Sequence, residues 1–350
     1  MRTPLCDLFG VRYPIVQTGM GYVSDPGLVA ATANAGALGI LAGATLGRSE
    51  LDAAIARIRD LTGEPFGVNL RADAPDAADR VDLLLRHGVR VASFALAPKP
   101  ELIARLKDGG VVVVPSVGAR RHAEKVAAWG ADAVVVQGGE GGGHTGPVPT
   151  TLLLPQVVDA VDIPVVAAGG FFDGRGLVAA LAYGAAGIAM GTRFLLTSDS
   201  PVPDEVKRHY LAATLTDTVV TTALDGVPQR VLRTGFVEEL RRGGPVRRLL
   251  RGVRSAAAFR GSTGTTWRAM LAEGVAMRRS RELTWGQVLL AANTPALLRA
   301  AMVDGRTDLG VLATGQVAGL VDDLPSCAEL VARIMAEAEA ALDRLAPGTP

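Results

Sequence analysis

The segment 137–146, with the sequence QGGEGGGHTG, joins one histidine to a loop made mostly of glycine. An imidazole changes its charge near neutral pH, so His144 could accept or donate a proton during a reaction. Because glycine carries no side chain, a planar ligand could lie directly against the backbone of this loop. The alternative is that His144 makes a hydrogen bond that only stabilises the loop. Glu140 could orient His144 or simply be solvated.

The other three histidines are less suited to catalysis. His87 falls at the end of a predicted helix, and His122 and His209 fall inside helical stretches, where surface and capping roles are common. The sequence has no HxH or HExxH spacing of metal ligands, and no Ser-His-Asp or Cys-His arrangement can be assembled convincingly. We therefore predict His144 as the catalytic residue and no metal site.

Glycines also end two successive apolar runs farther along the chain. Gly169-Gly170 ends one run and Gly191-Thr192 ends the next. Backbone N–H groups at such glycines, with the Thr192 hydroxyl and a following helix N-terminus, favour the binding of one phosphate. The alternative is that these glycines only make tight turns. A single phosphate fits flavin mononucleotide (FMN) or a phosphorylated substrate, whereas a dinucleotide is disfavoured because no GxGxxG follows the first strand.

Chemistry at these loops requires elements that bring them to one place. From residue 13 to about 213, short β-branched runs alternate with Ala/Leu-rich stretches of helical spacing. The runs are apolar throughout, as in strands buried on both faces. Eight such units predict a (β/α)8 TIM barrel, an α/β fold with its active site at the carboxyl ends of the strands, and the alternative is a doubly wound open sheet. The predicted strands are 13–17, 38–42, 65–70, 89–95, 111–115, 132–137, 163–169 and 186–191.

Past residue 214 this rhythm ends. We predict a short strand at 218–222, a turn at Asp225-Gly226 and helices at 284–302 and 326–345. The mixture indicates a mainly helical cap on the barrel. The predicted parts of the chain are a barrel at 1–214, a cap or substrate region at 215–320, and a C-terminal helix returning to the barrel at 321–350.

Positive charge is concentrated in one stretch of a nearly neutral chain. The whole sequence has a formal net charge of +1, but residues 228–281 contain 13 Arg, no Lys and three acids. This stretch therefore carries +10 and the rest of the chain carries −9. Such a segment could bind a polyanionic ligand, or it could be the solvated face of a basic helix. Nucleic acid is a weaker candidate, because no known nucleic-acid-binding module is present.

The cysteines and apolar runs bear on location. Cys6 and Cys327 lie near opposite ends of the chain, which excludes a disulfide scaffold and suits a reducing compartment. The first residues form no apolar run long enough for a signal peptide, and no run approaches the length of a membrane span. We expect a cytoplasmic protein.

Five motifs occur in order along the chain: PIVQTGMG, GVNL, VVQGGEGGGHTG, AAGG and AMGTRFLLT. Together they resemble the nitronate monooxygenase (2-nitropropane dioxygenase) family of FMN-dependent barrels, to which the flavin enoyl-[acyl-carrier-protein] reductases are related. The resemblance covers residues 4 to about 215 and continues to the Gly315-Gln316 step. It implies FMN as the cofactor and His144 as the catalytic histidine. The flavin-binding positions that it implies are Gln17, Gly19, Met20, Gly21, Asn69, Gln137, Gly142, Gly169, Gly170, Ala189, Met190, Gly191, Thr192 and Gln316.

Other stretches, such as TSDSPVPDEVKRHYL and ANTPALLRAAMVDG, are similar to an actinobacterial branch that acts on CoA thioesters from steroid C/D-ring breakdown. This resemblance implies that a ring hydroxyl and a ketone are interconverted on a bicyclic acyl-CoA, with His144 as general base or acid. Arg247, Arg248 and Arg251 could then contact the phosphates of CoA. The alternatives are a nitronate monooxygenase that oxidises alkyl nitronates with O2 and a flavin enoyl-thioester reductase.

A small-molecule substrate, either an acyl-CoA or a nitronate, is the partner that these observations predict. Neither nucleic acid nor a membrane is expected as a partner, and a homodimer is left open. A protein of another class is the remaining alternative: a non-redox barrel, such as an isomerase or lyase, that binds a phosphorylated metabolite. The colour of the purified protein separates the two classes, because a bound flavin is yellow.

Overall fold

The computed structural model describes residues 1–242 and 294–346. Its first nine strands are β1 (Ile15–Gln17), β2 (Leu38–Leu41), β3 (Phe66–Leu70), β4 (Val91–Phe94), β5 (Val112–Val117), β6 (Val134–Gln137), β7 (Gly143–His144), β8 (Val165–Ala168) and β9 (Gly187–Met190). All but β7 close into one parallel barrel in chain order, which confirms the predicted TIM barrel. The closing pair is β1 with β9, where Val16 lies opposite Ala189.

The continuous apolar character of the predicted strands follows from their burial. Every residue of β2, β4, β8 and β9 is buried. Alternate side chains of a barrel strand point into the barrel and toward the outer helices, so both sets are removed from water. Fully burying one Val or Leu side chain stabilises the fold by about 1.5–3 kcal/mol. A continuous apolar run is therefore most stable as a strand that is covered on both faces.

Ten helices lie before, between and directly after the barrel strands: α1 (Pro4–Phe9), α2 (Pro26–Asn34), α3 (Arg48–Leu61), α4 (Ala77–Arg86), α5 (Pro100–Asp108), α6 (Arg120–Ala128), α7 (Thr150–Val158), α8 (Gly174–Ala182), α9 (Thr192–Leu195) and α10 (Asp204–Leu211). Capping side chains set where two of them begin. Asp25 accepts the Leu28 N–H at 2.9 Å before α2, and Asp173 accepts the Gly176 N–H at 2.9 Å before α8. Each cap satisfies a backbone donor that the first helical turn leaves unpaired.

A second, antiparallel sheet lies beyond the barrel strands. It consists of β10 (Thr218–Thr221) and β11 (Gln229–Leu232), with β7 as its third strand, in the order β10–β11–β7. Gln229 is the cross-strand partner of His144, and Arg230 that of Gly143. The strand predicted at 218–222 is therefore present. This pairing ties the glycine loop after β6 to a hairpin some 80 residues later in the chain.

Three helices complete the described structure: α11 (Gly235–Arg242), α12 (Thr294–Met302) and α13 (Cys327–Leu345). The helix predicted at 284–302 is described only as α12, because its first part falls in residues 243–293. The described part of 215–320 thus contains a strand hairpin as well as helices. The division of the chain at residues 214 and 320 stays a prediction.

The C-terminal helix α13 packs against α8 and α2. Ser326 caps it: its hydroxyl accepts the Glu329 N–H at 3.2 Å, and the Glu329 carboxylate accepts the Ser326 N–H at 2.8 Å. The contact with α8 is close, because a Cβ added at Gly174 would lie 2.3 Å from the Ile334 backbone oxygen. Glycine is therefore required where the two helices approach each other.

A buried arginine fixes the segment that leads into α13. Arg193, in the short helix after β9, donates to the Asp323 carboxylate at 2.9 Å and to the Leu196 backbone oxygen at 2.6 Å. Burial lowers the pKa of Arg193, although Asp323 opposes that effect. Within residues 1–242 and 294–346, none of the helices combines the length and the apolar character that crossing a lipid bilayer requires.

Candidate active site

The catalytic histidine predicted from the sequence lies in the loop that follows β6. His144 is the second residue of β7, and half of its side chain is exposed. The Gln137 amide, at the end of β6, donates to the His144 backbone oxygen at 2.7 Å. This bond closes the glycine-rich segment back onto the strand that precedes it. A Cβ at Gly141 would lie 2.5 Å from Gln137 Nε2, so a larger residue there would displace the Gln137 side chain from this position.

The imidazole of His144 is paired with a buried carboxylate. His144 Nε2 lies 2.7 Å from Asp225 Oδ2, and the Asp225 side chain is only 6% exposed. Gln229 Nε2 also donates to Oδ2, at 2.6 Å, and the Val227 N–H donates to Oδ1 at 3.0 Å. Burial by itself raises the Asp225 pKa, but the hydrogen bond and charge of His144 and the donors of Gln229 and Val227 together lower it. Asp225 is therefore an ionised, fully hydrogen-bonded carboxylate at neutral pH.

Glu140 does not take part in this pairing. Its carboxylate accepts the Thr150 N–H at 2.9 Å and the Thr150 hydroxyl at 2.7 Å. Thr150 is the first residue of α7, so the carboxylate satisfies a free donor and complements the helix dipole. The expectation that Glu140 either orients His144 or is simply solvated was wrong. The orienting carboxylate is Asp225, because the antiparallel sheet places it directly beside the ring.

The predicted phosphate-binding glycines have a backbone conformation that favours glycine. Gly169 and Gly170 have φ angles of +94° and +88°, a region that side chains other than glycine rarely occupy. At the end of the next strand, the hydroxyl of buried Thr192 accepts the Gly315 N–H at 2.8 Å. The Gln316 N–H in turn donates to the Glu140 backbone oxygen at 2.9 Å. The structure therefore brings the strand-end glycines, Thr192 and Gln316 together.

The loop after β1 lies against two other strand ends. A Cβ at Gly19 would lie 2.6 Å from Asn69 Cβ, and one at Gly191 would lie 3.2 Å from Thr18 Oγ1. The Met190 backbone oxygen accepts the Thr18 N–H at 3.2 Å. These residues come from the ends of β1, β3 and β9, so these predicted flavin-binding positions lie together at the carboxyl edge of the barrel. Met20 and Gly21 belong to the same loop as Gly19, and Ala189 is buried beside Met190.

Gln17 differs from the other predicted flavin ligands. It is fully buried, and its Nε2 donates to Ser24 Oγ at 2.8 Å and toward the Ile40 backbone oxygen at 3.4 Å. The side chain thus holds the Gln17–Gly21 loop against β2. Gln17 Oε1 is buried and has no hydrogen-bond partner. A direct contact of Gln17 with the cofactor stays a prediction.

Gly142 has a similarly enforced position. A Cβ at this residue would lie 2.5 Å from the Thr314 carbonyl carbon and 2.6 Å from the Gly315 nitrogen. The loop that carries His144 therefore packs directly on the backbone of the 314–316 segment. This contact places the Gly315-Gln316 step, which the sequence only suggested, next to the loop that carries His144.

An open cavity of about 600 Å³ adjoins the loop of His144. Arg230 lies at its wall, where its guanidinium donates to Thr218 Oγ1 and to the Gly139 backbone oxygen, both at 2.8 Å. Burial lowers the pKa of Arg230, and the charge of Glu140 opposes that effect. The lining residues are Gly139, Glu140, Thr145, Gly146, Pro147, Pro149, Val220, Pro228, Arg230 and Gln316.

Asp225, Gln229 and Arg230 were not predicted as site residues. The signal that was available is the Asp225-Gly226 turn between two β-type runs, but a turn residue alone does not reveal its partner across 81 positions. The predicted CoA-binding residues Arg247, Arg248 and Arg251 lie outside the described residues. Among residues 1–242 and 294–346, no group of three His, Cys, Asp or Glu side chains is placed to hold a metal ion.

Comparison with known proteins shows the family to which the chain belongs. The sequence model of the family described as nitronate monooxygenase matches residues 2–337. A Mycobacterium tuberculosis protein named (3aS,4S,5R,7aS)-5-hydroxy-7a-methyl-1-oxo-octahydro-1H-indene-4-carboxyl-CoA dehydrogenase is 65% identical over 97% of this chain and 96% of that protein. A protein of the same name from Rhodococcus jostii is 62% identical over 99% of this chain and 98% of its own length. The solved structure of FabK from Thermotoga maritima has a TM-score of 0.80 and 34% identity, and the match covers 99% of this chain and 98% of that one. The chain is therefore an oxidoreductase that belongs to the nitronate monooxygenase family.

Proposed function

We propose that this protein is an FMN-dependent oxidoreductase that oxidises a ring hydroxyl to a ketone on a bicyclic acyl-CoA, with His144 as the general base. The proposal rests mainly on the half-exposed His144 imidazole, whose Nε2 lies 2.7 Å from Asp225 Oδ2 near the carboxyl ends of the barrel strands. The substrate class is supported by the two relatives at 65% and 62% identity, whose names specify a hydroxylated hydrindane carboxyl-CoA dehydrogenase.

The residues at the strand ends fit a flavin. Family membership supports a flavin cofactor, and FMN is the form that a single phosphate cradle favours. Gly169 and Gly170, both with positive φ, would hold the phosphate with Thr192, because their backbone can approach a ligand without a Cβ in the way. Asn69 and the loop at Gly142 would lie along the ring system. The unpaired Gln17 Oε1 is a buried acceptor at the same edge of the barrel.

FMN, when bound, supplies the acceptor for the two electrons that leave the alcohol. His144 takes the hydroxyl proton as the carbonyl group forms, and in the reverse direction returns that proton to the oxygen. The Gln137 amide keeps the loop closed by donating to the His144 backbone oxygen. A positioned base typically contributes about 10²- to 10⁴-fold, so the orientation of the substrate must provide much of the remaining acceleration.

The cavity beside this loop suits the bulky part of such a substrate. Its volume of about 600 Å³ falls within the range of about 300–1,000 Å³ that ligand pockets usually have. Pro147, Pro149, Val220 and Pro228 give it apolar walls, and Arg230 and Gln316 add polar groups. The CoA tail would extend from this mouth. Its contact with Arg247, Arg248 and Arg251 rests on the charge of the sequence alone and stays a prediction.

We also propose that the protein acts in the cytoplasm. Cys6 and Cys327 are free and buried, as expected for a protein folded under reducing conditions. Burial raises the pKa of the Cys327 thiol to about 12, so it remains protonated and inert. Both cysteines are thus core residues, and neither is a candidate for the chemistry.

An anaerobic reduction experiment tests the proposal. Purified protein, yellow as isolated or after reconstitution with FMN, is mixed with the 5-hydroxy hydrindane carboxyl-CoA or with propionate-3-nitronate, and the flavin absorbance is followed. We expect the acyl-CoA to bleach the flavin. Nitronate oxidation is the second candidate, because the matching family model carries that name; bleaching by the nitronate alone would overturn the acyl-CoA substrate. A protein that cannot be loaded with any flavin would overturn both.

A further inference from the structure

Asp225 lies in a setting that leaves its carboxylate little freedom. It occupies the turn between β10 and β11, with Oδ1 accepting the Val227 N–H and Oδ2 accepting the Gln229 amide. The third donor is His144 Nε2, at 2.7 Å. Gln229 and His144 belong to the antiparallel sheet and Val227 to the turn of its hairpin, so the strands that position His144 also position its partner.

The protonation of the two groups then determines the tautomer of the imidazole. An ionised carboxylate can only accept hydrogen bonds, so the proton in the contact must sit on His144 Nε2. In a neutral imidazole one nitrogen carries the proton and the other carries the lone pair. The nitrogen with the lone pair is consequently Nδ1, on the other side of the ring from Asp225.

We propose that Asp225 is a positioning residue for the reaction: by holding Nε2 as a donor, it makes Nδ1 of His144 the atom that exchanges the substrate proton. This inference rests on the proposed function for the identity of the reaction. The tautomer itself is a property of the protein and can be measured without substrate. Asp225 also stabilises the positive ring once Nδ1 has taken the proton, as the aspartate of a serine-protease triad does.

An asparagine at position 225 would reverse the arrangement. The Val227 N–H is a backbone donor that cannot turn away, so it requires an oxygen at the Oδ1 position, and the amide nitrogen would occupy the Oδ2 position and face His144. Gln229, whose Nε2 donates to that position in the wild type, would turn its side-chain amide over and accept through its oxygen. That nitrogen is a donor, and Nε2 would have to accept from it. The proton would then move to Nδ1, and the base would be lost although both side chains keep nearly their original size.

A second histidine–aspartate pair in the chain provides a matched control. His87 Nε2 lies 2.5 Å from Asp52 Oδ1, but the Asp52 side chain is 54% exposed and sits on the helical surface. The same substitution, Asp52→Asn, therefore removes a carboxylate from a histidine far from the barrel mouth. An effect that comes only from losing a carboxylate next to any histidine of the chain will appear in both variants.

The decisive measurement is the tautomer of His144 in the flavin-loaded protein, read from ring-nitrogen chemical shifts in long-range ¹H–¹⁵N spectra at about pH 8, above the ordinary imidazole pKa. The four histidines are assigned by single His→Asn variants. We expect Nε2 to be protonated in the wild type and Nδ1 in Asp225→Asn, with Asp52→Asn leaving His144 unchanged. A wild-type Nδ1–H form would overturn the inference, even if Asp225→Asn fails to fold.

The rate of flavin reduction is the second measurement. Asp225→Asn should slow flavin reduction by the acyl-CoA by at least about 100-fold, with KM and flavin content close to those of the wild type. Asp52→Asn should stay within about twofold. If the wild type reduces its flavin with the acyl-CoA but Asp225→Asn is equally fast, the inference is wrong and the proposed function stands. If the wild-type flavin is not reduced at all, the proposed function fails, and the spectra still decide the tautomer.

Discussion

Replacing His144 by asparagine is the most direct test of the proposed chemistry. The strand β7 is held by backbone pairing with β11 and by the Gln137 amide, and neither interaction uses the imidazole. The variant should therefore fold and retain its flavin. Asparagine has an N–H that can face Asp225, but it has no nitrogen that can take a proton at neutral pH. The change removes the base and leaves its surroundings in place.

The size of the effect follows from the exposure of the site. A positioned general base typically contributes about 10²- to 10⁴-fold. Because half of the His144 side chain is exposed, water can reach the same position and accept part of the proton. We therefore expect the rate of flavin reduction to fall by about 100- to 1,000-fold, or about 2.7–4.1 kcal/mol at 1.36 kcal/mol per tenfold.

Stopped-flow mixing under anaerobic conditions measures this step directly, since the absorbance of the oxidised flavin reports it before any reoxidation. His87→Asn is the control, because His87 is also paired with an aspartate but lies on the outer surface. Its reduction rate should match the wild type. A His144→Asn protein that retains flavin and reduces it within about threefold of the wild-type rate would refute the role of His144.

Three further changes test other parts of the structure. Glu140→Gln removes the carboxylate that caps α7, and the free energy of unfolding should fall by about 0.5–2 kcal/mol in denaturant titrations; no loss would show that the cap contributes nothing. Gly169→Ala places a Cβ at a φ of +94°, which costs about 1–2 kcal/mol, and should reduce the flavin retained on gel filtration; full retention would contradict the phosphate assignment. Burial alone raises the Asp323 pKa, but hydrogen bonds from Arg333 and Arg193 lower it overall. The stabilisation of the fold by ionised Asp323 is therefore present above about pH 4 and lost as the pH falls through the folded-state pKa. Asp323→Asn should be less stable than the wild type at pH 7 and nearly equal to it at low pH. A difference that does not change with pH would argue against the ion pairs.

Much of the fold could be predicted because it depends on local patterns. Each barrel strand is a short apolar run, and its burial on both faces is recorded residue by residue, as in β8 and β9. The C-terminal helix was equally visible, since the capping box at Ser326 and Glu329 is a local signal. Once the strands are known, the carboxyl-end rule places the loops around Gly170, Thr192 and His144 on one edge of the barrel.

The pairing that completes the site was not visible in the same way. β7 has only two residues, so it shows no alternation of polarity. It pairs with β11, and the bond from His144 to Asp225 spans 81 positions of the chain. The same long-range pairing decides that Asp225, and not the nearby Glu140, holds the imidazole. Glu140 is closer in sequence but is directed to the start of α7.

The sequence by itself determined the barrel and the position of the glycine-rich loop that carries His144, because burial periodicity and glycine spacing act over a few residues. The tertiary structure alone decided which carboxylate faces that histidine and which of its nitrogens is free. Those depend on an antiparallel register between distant segments, and a register is fixed by the packing of the whole sheet and not by any residue within it.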